Sequence, residues 1–263
     1  MHFFKYNGLG NDFIFLDGTT AQAVKDPAAL ARRLCNRHSG IGADGLILLL
    51  PSQTADARMR IMNSDGSEAE MCGNASRCVP LHLLTQGIIS NKQISLETLA
   101  GPIQTEVVDV SKGLVRVNMG RPRDIVPNFE VKLPSQTWVG TKVSMGNPHF
   151  VVVVENAEEF PVAELGPVLE THPLFPQKTN VEFVQILDPN TARMRVWERG
   201  VGITQACGTG ACATAAACIL KGLTNPQVTL QLDGGELRIE WPEKTDIFMT
   251  GSAQKVFEGE IVL

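Results

Sequence analysis

Apolar positions along the chain come mostly in short blocks and in alternation, and helical spacing is confined to a few segments. Residues 14–16, 46–50 and 59–62 read as early strands. Residues 27–37 read as a helix, with Asp26 as N-cap and Pro27 at the first helical position, where the missing N–H is not needed. A second helix is expected to open near Cys72, Gly73 and Asn74 and to stop by Gly87. Residues 94–119 alternate like a meander, turning at Gly101-Pro102 and Lys112-Gly113. The second half follows the same plan. Strands are expected at 150–154, 181–187 and 192–197, a short helix at 162–170, and a helix from about Gly208 to Lys221 stopped by Gly222. Strands fill the rest, and residues 121–134, rich in proline and charge, read as the crossover between halves.

The repetition is visible residue by residue. Laying Met59-Arg60-Ile61-Met62 on Met194-Arg195-Val196-Trp197 without gaps brings Cys72-Gly73-Asn74 onto Cys207-Gly208-Thr209, an offset of 135 residues (207 − 72). At nearly the same offset, Gly10-Asn11-Asp12-Phe13 meets Gly146-Asn147-Pro148-His149-Phe150. The matches fall on unusual residues, so the chain reads as two similar halves. One spans 1–120 and carries Cys72; the other spans 121–251 and carries Cys207; a last strand at about 252–263 is expected to pack back on the first.

Composition narrows the classes. The 263 residues hold 23 Lys and Arg against 28 Asp and Glu, a formal charge of −5, with 43% apolar residues. Such a chain folds and buries a sizeable core. Its basic residues do not cluster, which argues against nucleic acid as a partner. The longest apolar runs, 46–50, 150–154 and 215–220, fall far short of the ~18 residues of a membrane helix, so no membrane association is expected. The first residues show no basic stretch followed by an apolar core, so a cytoplasmic location is expected.

That location changes how Cys35, Cys72, Cys78, Cys207, Cys212 and Cys218 are read. A disulfide framework is out of place in a reducing compartment, and no C-x-x-C pair points to a metal. Cys35, Cys78, Cys212 and Cys218 read as small packing residues. Cys72 and Cys207 differ, because each precedes a glycine at an expected helix start. There the unpaired N–H groups and the positive end of the helix dipole stabilise a thiolate and bind a carboxylate. Gly73 and Gly208 let a ligand approach the backbone, and Asn74 and Thr209 add polar contacts. If the halves face each other, two thiols flank one bound carboxylate compound. One thiolate would take the proton from the carbon beside the carboxylate while the other thiol protonates the opposite face. Free thiols titrate near ~8.5, so modest tuning gives one thiolate and one thiol near neutrality. No pyridoxal phosphate signature or metal cluster is found, so no cofactor is expected, and aimed N–H groups would stabilise the carbanion.

These residues stand within longer stretches: Lys5-Tyr6-Asn7-Gly8-Leu9-Gly10-Asn11-Asp12-Phe13, Asn63-Ser64-Asp65-Gly66-Ser67-Glu68, Met71-Cys72-Gly73-Asn74, Ser144-Met145-Gly146-Asn147-Pro148-His149, Glu198-Arg199-Gly200-Val201-Gly202 and Ala206-Cys207-Gly208-Thr209-Gly210-Ala211-Cys212-Ala213. In that order, over nearly the whole chain, the sequence resembles the diaminopimelate epimerases, cofactor-independent enzymes that interconvert LL- and meso-diaminopimelate. The resemblance implies an α/β (α+β) fold of two pseudo-symmetric halves, each a curled, mostly antiparallel sheet around a central helix. It also implies a homodimer serving lysine and peptidoglycan precursor biosynthesis. It implies that Cys72 and Cys207 are the acid/base pair, and that the backbones of Gly73, Asn74, Gly208 and Thr209 bind the carboxylate at the reacting carbon. Asn11, Asn63, Asn147, Asn180, Glu198 and Arg199 would hold substrate, and His149 and Glu198 would position the site and tune the thiols. The chain departs from the family pattern at Ala75, at Ile203 and at Pro80, which should kink the first catalytic helix. Two other readings stay open on the residues alone: a two-cysteine racemase or epimerase of another amino acid, and a dithiol redox or binding protein. Arg199 and the asparagines favour diaminopimelate, whose second polar end needs them.

Overall fold

The computed structural model describes residues 1–134 and 136–262, without the side chain of Lys244. The chain divides into two compact units, Met1–Val117 with Gly251–Leu263, and Asn118–Thr250. Residue 263, the end of the segment expected to return to the first half, lies outside the described residues.

In the first unit the strands pair in the order Gln254–Glu260, His2–Gly8, Asn11–Leu16, Gly45–Leu50, Ala57–Asn63, Gln93–Thr98 and Gly101–Asp109. Neighbours are antiparallel except at two places, Asn11–Leu16 with Gly45–Leu50 and Ala57–Asn63 with Gln93–Thr98. Parallel pairing needs a crossover, and helices supply it. Helices α1 (Gly18–Gln22) and α2 (Pro27–Leu34) bridge the first parallel pair, and α3 (Ala75–Thr85) bridges the second. The sheet wraps α3, which packs on His2–Gly8, Gly101–Asp109 and Gln254–Glu260.

Local chemistry sets the helix ends. The Asp26 carboxylate accepts from the Ala29 N–H at 3.0 Å, the expected cap. Helix α2 stops at Leu34 instead of continuing to residue 37. Asn36 explains the difference, because its Oδ1 takes the N–H groups of His38 and Ser39, both at 2.9 Å. That offers the backbone a turn in place of another helical turn. Helix α3 continues through Pro80.

The second unit pairs Arg123–Lys132, Thr137–Ser144, Pro148–Val153, Asn180–Asp188, Thr191–Glu198, Gln227–Leu232 and Gly235–Glu240 in that order. The parallel pairs are Pro148–Val153 with Asn180–Asp188 and Thr191–Glu198 with Gln227–Leu232. Helices α4 (Val162–Glu170) and α5 (Gly208–Leu220) make the crossovers. From His2–Gly8 in one unit and Thr137–Ser144 in the other, the succession of antiparallel and parallel ladders is the same. The register repeats too: Ile47 pairs with Ile61, and the residues one repeat further on, Glu182 and Val196, pair with each other. Helix α5 is apolar on nearly every face because strands of its unit surround it.

Residues 121–134 are no loose crossover. Arg123–Lys132 is a strand paired with Thr137–Ser144. Its register breaks between Phe129↔Gly140 and Val126↔Lys142, and Asn128 sits there at φ 53°. Pro127 falls in this irregularity, one of the few places where a strand accepts proline. Among the described residues, no helix is long and apolar enough to cross a membrane.

Candidate active site

In the first unit, the strand Ala57–Asn63 leads through a turn and a two-residue strand, Glu68–Ala69, to Cys72 and the start of α3. The Cys72 carbonyl accepts from both the Ser76 N–H and the Ser76 hydroxyl, each at 2.9 Å, which anchors the turn to the helix. The partly buried Cys72 thiol donates to Asn11 Oδ1 at 3.7 Å, and Asn74 Nδ2 donates to the same oxygen at 3.4 Å. Asn11 is held in turn by Asp44, whose Oδ2 accepts its amide at 2.7 Å. Asp12 joins this cluster through Lys5 at 2.7 Å and Arg37 at 2.6 Å. Burial opposes the charge of Asp12, but those two cations outweigh it and hold the carboxyl well below the usual range.

The Asn63 amide donates to Ser67 Oγ at 2.9 Å. Arg77, fully buried in α3, straps the cysteine turn from behind. Its guanidinium donates to Gly73 O at 3.4 Å, Asn74 Oδ1 at 3.0 Å and Ser252 O at 3.2 Å. The structure therefore joins Asn11, Cys72, Gly73 and Asn74 into one group. It adds Arg77, Asp44 and Arg37, none of which carries a local pattern that marks it.

In the second unit, Cys207 is the N-cap of α5, and its sulfur accepts the Gly210 N–H at 3.4 Å. Thr209 Oγ1 lies 3.6 Å from that sulfur and accepts Asn147 Nδ2 at 3.3 Å. Asn147 Oδ1 meets His149 Nε2 at 3.0 Å, and His149 Nδ1 meets Glu182 Oε1 at 2.7 Å. A continuous line of polar contacts thus runs from Cys207 through Thr209, Asn147 and His149 to Glu182. Asn180 serves the turn carrying Arg199: its Nδ2 donates to Pro148 O at 2.8 Å and its Oδ1 accepts the Arg199 N–H at 3.0 Å. The Arg199 guanidinium donates to Gln177 O at 3.2 Å.

Burial works against the easing toward ionisation that the helix start offers Cys207. Burial pushes Cys207 well above the ordinary thiol value, and the charges of Glu198 and Glu182 add to it. The Thr209 hydroxyl and the Gly210 N–H pull the other way without winning. Glu198 is raised as well, first by burial; the Thr204 hydroxyl opposes this and the Glu182 charge reinforces it. Cys35, Cys78, Cys212 and Cys218 are buried. Among the described residues, no three His, Cys, Asp or Glu side chains are grouped to hold a metal.

A family model described as diaminopimelate epimerase matches residues 3–125 and 141–256. The diaminopimelate epimerase of Desulforudis audaxviator is 49% identical over 276 residues, covering 100% of this chain and 99% of its own. That of Moorella thermoacetica is 48% identical over 278 residues, covering 100% of both chains. The chain belongs to the diaminopimelate epimerase family. As a member it is an isomerase, and the family fold extends to more distant chains. A PhzF-family phenazine biosynthesis protein from Bacillus anthracis superposes with a TM-score of 0.78 at 16% identity, covering 100% of this chain and 99% of that one. A probable proline racemase from Agrobacterium radiobacter, solved with bound carbonate, gives a TM-score of 0.73 at 19% identity, covering 100% and 93%. At these identities both share the architecture of this epimerase-family chain: mostly sheet, with few helices.

Proposed function

We propose that this enzyme interconverts LL- and meso-2,6-diaminopimelate without a cofactor, using Cys72 and Cys207 as its acid/base pair, in lysine and peptidoglycan precursor biosynthesis. The observation that carries the reading is the setting of Cys207. It caps α5, takes a backbone N–H on its sulfur and lies under the charge of two carboxylates, Glu198 and Glu182. A thiol so held rests protonated, ready to give its proton to a carbanion. Cys72, less buried and at the start of α3, then acts as the base in that direction, and the roles exchange in reverse. Inversion requires the two thiols to address one carbon from opposite faces. The N–H groups at the starts of α3 and α5 would bind the carboxylate at that carbon and stabilise the charge that develops on it. Asn11, Asn63, Asn147, Asn180, Glu198 and Arg199 would hold the substrate. Arg199 suits a bidentate carboxylate contact at its far end. His149 and Glu198 would tune and position the thiols.

The test is epimerisation of LL-diaminopimelate in deuterated water against a panel of single amino acids. The expected result is inversion of diaminopimelate with deuterium at the reacting carbon, lost by at least about 10³-fold in Cys72→Ser and Cys207→Ser. Turnover of another amino acid with none of diaminopimelate would move the chain to a sibling racemase. Full activity in both serine variants would end the two-thiol mechanism. The reading also takes the enzyme to be a cytoplasmic homodimer. The resemblance supports the dimer, and the mass in solution by light scattering tests it.

A further inference from the structure

Glu182 is not among the site residues marked in the sequence, yet it is fully buried beside them. Its Oε1 faces His149 Nδ1 at 2.7 Å, with both side chains closed to solvent. Its Oε2 is buried with no hydrogen-bond partner among the described residues. A carboxylate left half-satisfied in the interior costs stability and calls for a reason.

The internal repeat removes the structural explanation. Phe13 pairs with Gly45 in the first unit and His149 with Asn180 in the second, and the two ladders run in the same parallel sense. Gly45 and Asn180 are one repeat apart, so His149 stands in the place of Phe13 and Glu182 in the place of Ile47. Phe13 and Ile47 are both buried. The fold is therefore built at these positions with an apolar pair, and the second unit has a buried histidine–carboxylate pair there instead. Buried pairs of this kind are seldom more stable than the apolar pair that would replace them.

We infer that Glu182 is a positioning residue of this half-site, fixing the orientation and the proton of His149 through Nδ1. The inference rests on the epimerase reading for its kinetic consequences. A carboxylate only accepts, so Nδ1 donates to Oε1, and the ring is held with Nε2 facing Asn147 Oδ1. Asn147 passes the constraint to Thr209 at the sulfur of Cys207. The charge of Glu182 also reaches the site directly. The place where a Cβ of Gly210 would stand lies 2.7 Å from Glu182 Oε1 and 3.2 Å from Cys207 Sγ. The titratable groups around Glu182 are His149 from Pro148–Val153, Glu198 from the end of Thr191–Glu198, and Cys207 at the start of α5. Its charge pushes both Cys207 and Glu198 upward.

The test uses the full chain with Glu182→Gln, which keeps the shape and removes the charge, and Glu182→Ile, which installs the residue of the sister unit. Two readouts are taken: the pH profile of kcat/KM on diaminopimelate, and the ¹⁵N signals of the His149 ring. Both variants are expected to fold, with kcat at least tenfold lower and KM changed less than threefold. In Glu182→Gln the limb that reports Cys207 moves to lower pH in both directions of reaction, because a charge that favoured the thiol is gone. The Nδ1 signal of His149 shifts in both variants. Unchanged kcat, pH profile and ring signals in folded variants would overturn the inference. If the parent does not turn over diaminopimelate, the epimerase reading fails on its own, and the ring signals alone decide: a shift at Nδ1 sustains the positioning role, and no shift ends it.

Discussion

Gly210 shows how little room the second half-site leaves. Its N–H reaches the sulfur of Cys207, and a Cβ added to it would meet both that sulfur and the buried carboxylate of Glu182. A methyl group there would stand 2.7 Å from Glu182 Oε1, closer than real contacts allow, so Gly210→Ala must push the carboxylate or the thiol aside. Alanine is the better helix former, which offsets the strain in overall stability. The expected outcome is a kcat lower by about 10²-fold, the scale at which small misplacements act, with a urea midpoint close to the parent. A kcat within twofold of the parent would mean that the spacing of Glu182 and Cys207 is not critical. Residues of this kind are hard to see in the chain. Gly210 lies in a readable Cys-Gly motif, whereas Glu182 lies inside Val181-Glu182-Phe183, where a polar residue between apolar ones reads as an ordinary outward position. Only the neighbouring parallel strand, which brings in His149, gives it meaning.

At the scale of elements, α4 supports the turn that carries Arg199. Glu170, the last residue of α4, is buried and accepts from Trp197 Nε1 at 2.7 Å and from the Gly200 N–H at 2.9 Å. Burial opposes its charge, but Trp197, the Gly200 N–H and Lys178 together hold its carboxyl below the usual range. Gly166 lets the helix approach this closely, since a Cβ there would lie 2.5 Å from the Trp197 ring. Glu170→Ala would leave two N–H donors without their acceptor, at about 1–3 kcal/mol each if buried. It should lower the urea midpoint and, on the proposed function, raise KM for diaminopimelate several-fold while kcat falls less, because the loosened turn carries Arg199, proposed to hold the substrate, and neither thiol. A KM that stays put would detach Arg199 from this support. Helix ends were legible where the signal is local, as at Asp26 and Pro27. They were missed where a side chain bonded to its own turn, as Asn36 does. The strand Arg123–Lys132 was hidden because Pro127 and Asn128 look like a loop and prove to be a bulge.

Across the whole molecule, the buried thiols set a limit on the alkaline side. Burial pushes Cys78 and Cys218 each up to about 12. A group whose folded value lies above its unfolded value supports the fold fully below the unfolded value. That support fades as pH rises from there toward the folded value. With unfolded thiols near ~8.5, each should withdraw about 1–2 kcal/mol between pH 8 and pH 10. Urea titrations at those two pH values should show the midpoint falling, and Cys218→Ala should show a smaller fall than the parent. An equal fall in both would assign the loss to other groups.

The order of residues alone carried the strand-rich pattern with few helices and the repeat with its offset of 135 (207 − 72), because periodicity, caps and repeated motifs are local and survive in one dimension, while the fold class followed from the family resemblance. It also singled out the two Cys-Gly turns. Folding decided what surrounds each sulfur. Asn11 reaches Cys72 across 61 residues of chain and Glu182 reaches the surroundings of Cys207 across 25 (207 − 182), and the sheet ladders bring them within reach, while Glu198 comes from the adjoining strand. Charge and burial depend on distance in space, so the protonation of Cys207 and the place of Glu182 could be read only from the folded chain.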